Sequence, residues 1–298
     1  MKFEKTSIPV FTGVDKLKQV LSTINVDEDY YISAVKPGID CLIVNGYVCD
    51  LNGKPFENDV FQSRFKWFSE RLQKSNFVGI GRVIVEERRN YRNANDHNLY
   101  SLIGYRRPWS ANSYDDIFIE LHDIHQPVSK FEIRFDIRSK VMEGMSRTSY
   151  PNNQSVVLPK RFDGNQKSIA DIVDFAYENS KNGLTTLFQD KKAAYVQGNQ
   201  GVLRNFEIDL FETVEGIIES VKTSELMVNT RNKMCNVVDF IRVRYKDSIY
   251  SISIMKCLPE TVAYMNDLVE SGKIKFGETP YKFKAIKING ELKLPTKL

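Results

Sequence analysis

The sequence predicts an α+β protein in two parts, a mixed domain over residues 1–213 and a smaller β-rich module over residues 214–298. Length is the first observation behind this, because single hydrophobic cores stop growing near roughly 250–300 residues. The second is the pattern of apolar residues. Helical spacing and strand alternation intermix over the first part, whereas short strands with one helical piece fill the second. The third is charge: residues 1–213 carry 28 Lys+Arg against 28 Asp+Glu, and residues 214–298 carry 14 against 10, so the whole excess of +4 lies in the second part. With 42% hydrophobic and 27% charged residues, the chain has the balance of a soluble globular protein.

Residues 14–24 place Leu17, Val20, Leu21 and Ile24 on one side of a short helix. Residues 30–34 and 40–48 alternate or run apolar like strands, and Asn52-Gly53-Lys54-Pro55 has the chemistry of a hairpin turn. Over residues 60–74, Phe61, Phe65, Phe68 and Leu72 form one helical face, an aromatic core stripe. Strands follow at 77–86 and 117–124, separated by a polar, Arg- and Asn-rich loop at 88–111. Residues 129–141 and 167–179 read as helices, the second with Ile169, Ile172, Val173 and Ala176 on one face. Further strands are expected at 183–188, 193–196 and 206–214, and a helix at 259–270.

Several functional classes fall away. No apolar run approaches the roughly 20 residues that span a bilayer, and the first residues lack a secretory h-region. A cytoplasmic protein without membrane contact is expected. Cys41, Cys49, Cys235 and Cys257 show no C-x-x-C spacing, so they read as reduced core thiols. Neither P-loop nor dinucleotide glycine pattern occurs. His122-x-x-His125 lacks a third ligand, and on a regular strand its rings point to opposite faces, so both read as ordinary surface or loop histidines and no metal site is expected. The acidic pairs Glu86-Glu87 and Asp115-Asp116 border loops and read as solvated turns.

Basic clusters point to nucleic acid. Arg88, Arg89 and Arg92 flank Tyr91, and Arg106 and Arg107 lie between Tyr105 and Trp109, an interleaving suited to pairing phosphates and stacking bases. In the second part Arg242, Arg244 and Lys246 alternate along a strand, and Lys282 and Lys284 continue the basic character. DNA is the expected partner, with a protein partner as the other possibility, and the chain is expected to be a monomer.

The segment Val35-Lys36-Pro37-Gly38-Ile39-Asp40, the apolar strand behind it, and Asn52-Gly53-Lys54-Pro55 resemble the opening block of ATP-dependent DNA ligases, K-x-D-G-x-R followed by R-N-G-K. Gly81 resembles the glycine of that family's D-G-E. The strand with His122-Asp123 resembles the one whose aromatic residue stacks on adenine. Asn182-Gly183-Leu184 resembles E-G-L; Tyr195, Gly198 and Leu203-Arg204 resemble the Y-x-x-G and lysine blocks; Asn289-Gly290-Glu291-Leu292-Lys293-Leu294-Pro295 resembles the D-G-x-L-R-x-P that closes the OB domain. The order is kept from Val35 to Pro295. This resemblance implies a nucleotidyltransferase domain with antiparallel sheets and a C-terminal OB-fold β-barrel. The Lys-, Asn- and Ile-rich composition is also that of an AT-rich source such as a bacteriophage.

In that family a lysine amine attacks the α-phosphate of ATP, carboxylates place Mg²⁺ and bind the ribose, and basic residues neutralise the triphosphate. By the resemblance, the cleft positions here hold Val35 for the lysine, Pro37 for the aspartate, Asp40 for the arginine, Ile80 and Arg82 for the acids of D-G-E, His122 for the stacking residue, and Asn182 for the E-G glutamate. Leu51 replaces the hairpin arginine, and Arg204 and Phe206 stand at the two lysines. The expectation is a pseudoenzyme that keeps the scaffold, transfers no AMP and needs no cofactor. The alternative is an active ligase using ATP and Mg²⁺ with its nucleophile shifted to Lys36. A structural or virion-associated interaction protein is a third class.

Overall fold

The computed structural model describes residues 8–85, 117–127, 132–147, 155–162, 168–195, 204–228, 233–254 and 259–297. The chain divides into two compact units, Met1–Phe11 with Asp15–Asp209 and Thr12–Val14 with Leu210–Leu298. The first unit is built on two five-stranded sheets. One sheet has β4 (Tyr47–Cys49), β3 (Ile39–Val44), β5 (Val78–Val85), β6 (Ile117–His125) and the two-residue β7 (Val156–Val157) side by side, with only β6 and β7 parallel. The other runs β1 (Val10–Thr12), β10 (Asn205–Asp209), β9 (Thr185–Asp190), β2 (Tyr30–Val35), β8 (Lys160–Arg161).

Residues 40–48, expected as one strand, fold instead as a hairpin. Asn45 and Gly46 both have positive φ, +53° and +82°, the geometry of a two-residue turn that matches strand twist. Asn52-Gly53 makes a second, separate turn, fastened by the Asp50 carboxylate, which accepts from the backbone N–H of Asn52 and Lys54, each at 2.9 Å.

The predicted aromatic stripe is the buried face of α3 (Asp59–Lys74). Phe61, Phe65, Phe68 and Leu72 are each at most 1% exposed and pack under β3, β5 and β6. Each such burial stabilises by about 1.5–3 kcal/mol. Asn58 caps the helix by accepting from Phe61 N–H at 2.9 Å, and Asn76 at φ +55° ends it. The helix expected at 129–141 is α4 (Phe135–Arg147), later in the chain, with Phe135, Met142 and Met145 in the same core. α1 (Val14–Leu21) and α5 (Ile169–Lys181) follow their expected spacing, α5 opening on a Ser168–Asp171 capping box. A one-turn helix, α2 (Val26–Asp29), leads into β2. Residues 193–196 do not make a strand as far as they are described: Ala194 forms a single bridge with Arg134.

The second unit has the strand order β13 (Ser248–Ser253), β12 (Lys233–Tyr245), β11 (Phe211–Val228), β14 (Pro280–Ile288), β15 (Glu291–Lys297), with α6 (Pro259–Glu270) between β13 and β14. The segment expected as one strand at 206–214 breaks at Leu210, so that β10 serves the first unit and β11 the second. The sheet curls until its edges nearly meet, where Leu292 N–H donates to the Tyr250 hydroxyl at 3.5 Å. Ile218, Ile241, Val243, Ile252, Phe283 and Ala285 fill the barrel, each at most 1% exposed. Among the described residues no helix is long and apolar enough to cross a membrane.

Candidate nucleotide cleft and basic faces

Alternation along the strands decides what lies between the two sheets of the first unit. On β3, β5 and β6 the core face carries Ile39, Cys41, Ile43, Val83, Ile119 and Leu121. The opposite face therefore presents Asp40, Arg82 and Glu120, which the register places in one row: Asp40 opposite Arg82, and Arg82 opposite Glu120. Two glycines let these strands and their connections close up. A Cβ on Gly38 would stand 2.3 Å from the Val83 carbonyl oxygen, and one on Gly81 would stand 2.4 Å from that of Glu120. The scaffold glycines of the resemblance are thus explained by close backbone approach.

On the facing sheet, Val35 pairs with Thr185, whose hydroxyl donates to Glu207 at 3.1 Å, so all three lie on the inner face. Val35 is fully buried and points inward, and Lys36 follows just beyond the strand end. Lys36 is held by its backbone, whose N–H donates to Glu120 Oε1 at 3.1 Å. Pro37 is exposed in the same connection.

The centre of the interface is an ion triplet. Arg82 donates through Nε to Asp40 at 2.9 Å and through Nη2 to Glu207 at 2.6 Å, with side-chain exposures of 16%, 33% and 6% for Arg82, Asp40 and Glu207. Burial works against the guanidinium charge, and the Glu207 and Asp40 carboxylates outweigh it, holding Arg82 above even its ordinary range. By the resemblance, position 40 is an arginine's and position 82 a glutamate's. The two residues are cross-strand neighbours of opposite charge, and Glu207 joins them from the other sheet.

His122 departs from the expectation of a surface or loop histidine. A β-bulge between Leu121 and Asp123 adds a residue to β6. Strand alternation is reset there, so Asp123 and His125, opposite Ile80 and Val78, lie on the same face as Glu120. The His122 ring reaches Glu120 at 2.9 Å from Nε2 and is buried at 5% exposure. It belongs to a strand interior, not to a surface loop, and its backbone carbonyl accepts from Gln189 Nε2 at 3.1 Å, a second tie between the sheets. Among the described residues no three His, Cys, Asp or Glu side chains gather as metal ligands.

Next along β6, Asp123 receives a two-pronged bond from Arg138, 2.7 Å from Nε and 2.9 Å from Nη2. Arg138 is 2% exposed, and its Nη1 donates to the carbonyl oxygens of Ala193, at 3.1 Å, and Ile133. Its position is legible in retrospect: Phe135, Arg138, Met142 and Met145 follow helical spacing on one buried face, and a cation on an apolar stripe demands a buried partner.

His125 stacks on Tyr195 with ring centroids 4.4 Å apart, and Tyr195 packs on Leu42, Cys49 and Ile80. Burial lowers the His125 pKa and Arg138 adds to this, against the pull of Asp123. The folded state thus takes up this proton less readily than the unfolded chain. The His125 contribution is present above the ordinary value of about 6.5 and is lost as pH falls below it toward the lowered folded value. Urea denaturation over this range is expected to show that His125→Phe, which keeps an aromatic ring in the stack, loses less stability on acidification than the wild type. Equal slopes would count against the assignment. Cys49, buried beside this cluster, has its thiol pushed up to about 11, mainly by burial, and is an inert thiol.

Three predicted positions lie elsewhere. Asn182 caps the end of α5, its Nδ2 donating to the Glu178 carbonyl oxygen at 2.8 Å, and is exposed. Phe206 faces outward from β10, stacked on Phe188 at 4.5 Å, so Asn205 and Glu207 are the residues that β10 turns inward. Arg204 is exposed beside a surface depression. Arg88, Arg89, Arg92, Arg106 and Arg107 lie outside the described residues.

In the second unit, register puts Arg242 and Arg244 of β12 on the outward face that also carries Lys282 and Lys284 of β14. Arg244 bonds Glu219 at 2.5 Å, and Lys282 lies 3.9 Å from Glu215. Lys246, expected to continue the strand alternation, is instead a turn residue at φ +53° with its ammonium over the Tyr245 ring.

No protein-family model and no curated protein sequence matches the chain. Solved structures do match in fold. A Lig E DNA ligase, studied for DNA binding with a minimal scaffold, superposes over 100% of this chain and 99% of its own with TM-score 0.55 at 13% identity. The ATP-dependent DNA ligase of bacteriophage T7, in complex with ATP, covers 97% of each chain with TM-score 0.52 at 10% identity. Chlorella virus DNA ligase-adenylate covers 97% and 96% with TM-score 0.50 at 12% identity. The fold is that of the ligase nucleotidyltransferase domain followed by an OB domain.

Proposed function

We propose that this chain is a ligase-like DNA-binding protein that has given up AMP transfer, and that it works without ATP or Mg²⁺. The Asp40–Arg82–Glu207 triplet carries the reading. Adenylation requires an inward-facing amine in line with the α-phosphate, and the inward residue at that place is the valyl side chain of Val35. A divalent cation near position 82 would meet a guanidinium instead of a carboxylate. At a separation of 4 Å that repulsion is roughly 4 kcal/mol per unit charge for an effective dielectric near 20. The inner carboxylates that might attract a metal are already engaged, Asp40 and Glu207 with Arg82 and Glu120 with His122.

DNA binding is assigned to the retained two-domain scaffold and to the outward cations Arg242, Arg244, Lys282 and Lys284. Incubation with labelled ATP and Mg²⁺ is expected to leave no label on the denatured protein. A denaturation-stable adenylate that disappears in Lys36→Ala would establish the second reading, an active ligase with a shifted nucleophile. That reading is favoured by one contact: the bond from the Lys36 backbone to Glu120 fixes this lysine one residue from the family position. Failure of a nicked duplex to bind at low salt would point instead to an interaction protein without a nucleic-acid role.

A further inference from the structure

Outside the cleft, the first unit carries a surface depression of about 320 Å³, lined in part by Arg134, Lys192 and Arg204, with Glu132 and Asp190 among the other residues. That is room for a phosphate group with part of its hydration. The three cations come from separate segments, just before α4, just after β9 and just before β10. Backbone bonds fix these segments to one another: Arg134 bridges Ala194, Phe135 N–H donates to the Ala193 carbonyl at 2.9 Å, and Asp190 N–H donates to the Arg204 carbonyl at 2.9 Å.

Two of the cations are braced from outside the depression. Asp136 accepts from Arg134 Nε at 3.1 Å and Nη2 at 2.7 Å, and Asp29 accepts from Lys192 Nζ at 2.6 Å; neither carboxylate lines the depression. The braces leave Arg134 with the Nη1 end of its fork and Lys192 with further N–H donors. Of the acids within, Asp190 spends Oδ1 on the Lys192 backbone N–H at 2.8 Å. The Arg204 fork, the remaining end of the Arg134 guanidinium and the remaining N–H donors of Lys192 can all donate to the oxygens of a phosphate held in the concavity.

We infer that this depression is a docking site for a backbone phosphate of nucleic acid, with Arg134, Lys192 and Arg204 as its donors. The inference rests on the DNA-binding part of the proposed function and supplies the first unit with a contact of its own. Arg204, placed in the triphosphate site by the resemblance, thereby acquires a different anion.

Binding of a labelled nicked duplex over a salt series tests it, using wild type, the triple variant Arg134→Ala/Lys192→Ala/Arg204→Ala, and Arg242→Ala/Arg244→Ala. Every cation withdrawn from a phosphate should reduce the slope of log K against log salt by about 1, so the triple variant should be shallower by about 3. The charge-keeping Arg134→Lys/Arg204→Lys variant should keep the wild-type slope, which separates removal of the phosphate donors from damage to the fold. If wild type binds and the triple variant keeps its full slope, the docking site is wrong and the DNA-binding reading stands on the second unit. If wild type does not bind, both are wrong.

Discussion

Replacing Arg82 by alanine is expected to lower the free energy of unfolding by about 3–5 kcal/mol, the usual result of stripping the partner from a buried charge. Glu207, 6% exposed, would keep only the Thr185 hydroxyl, and Asp40 would lose its cross-strand partner. Domains are typically stable by about 5–15 kcal/mol, so the loss is large enough to show as a shifted urea midpoint with unchanged slope. The decisive comparison is the neutral triplet Arg82→Met/Asp40→Asn/Glu207→Gln, which leaves no uncompensated charge and should recover most of the loss. Should Arg82→Ala alone prove as stable as wild type, the triplet would not hold the two sheets together, and the chief support of the proposed function would weaken with it.

Arg138→Met should have an effect at least as large, near about 5 kcal/mol, because three acceptors lose a charged donor together and the Asp123 carboxylate loses its counter-ion. The buried Asp123 carboxylate would keep only the Ile124 N–H and the Ala193 carbonyl only the Phe135 N–H, while the partly buried Ile133 carbonyl would also lose its guanidinium donor. Arg138→Lys should recover only part of this, because one ammonium cannot reproduce the two parallel bonds to Asp123 and still reach both carbonyls. Combining Arg138→Met with Asp123→Asn should cost less than the sum of the single changes, and chemical denaturation of the four proteins yields the coupling. An additive cycle would contradict the bond geometry.

Features set by local chemistry were legible in the sequence. The stripe of Phe61, Phe65, Phe68 and Leu72 marks α3, because helical spacing and burial are the same fact. Residues 259–270 mark α6 for the same reason. The cleft position of Val35 comes only from the resemblance, by alignment on Gly38, since β2 ends at Val35 and strand alternation does not reach the glycine. What escaped depends on pairings between distant residues. Asp40 and Arg82 look like two independent losses until register sets them side by side. The bulge at His122 leaves no mark in residue type, yet it changes which face every later side chain of β6 occupies. By the resemblance Arg204 and Phe206 stand at the two lysine positions, whereas β10 turns Asn205 and Glu207 inward. Arg138 was passed over because a single arginine in a helical stretch looks like a solvated one unless the apolar stripe through it is followed in both directions.

The pair at positions 40 and 82 also limits which substitutions this chain can accept. Changing Asp40 to arginine by itself would set two guanidinium groups against each other, and changing Arg82 to glutamate by itself would set a carboxylate against both Asp40 and Glu207. Even both changes together leave Glu207 facing a like charge. Each single change is thus less stable than the present triplet, and the double change regains one opposite-charge pair without restoring the third contact. The arrangement therefore couples the three positions: in this fold their charges can be altered together with little loss, but not one at a time.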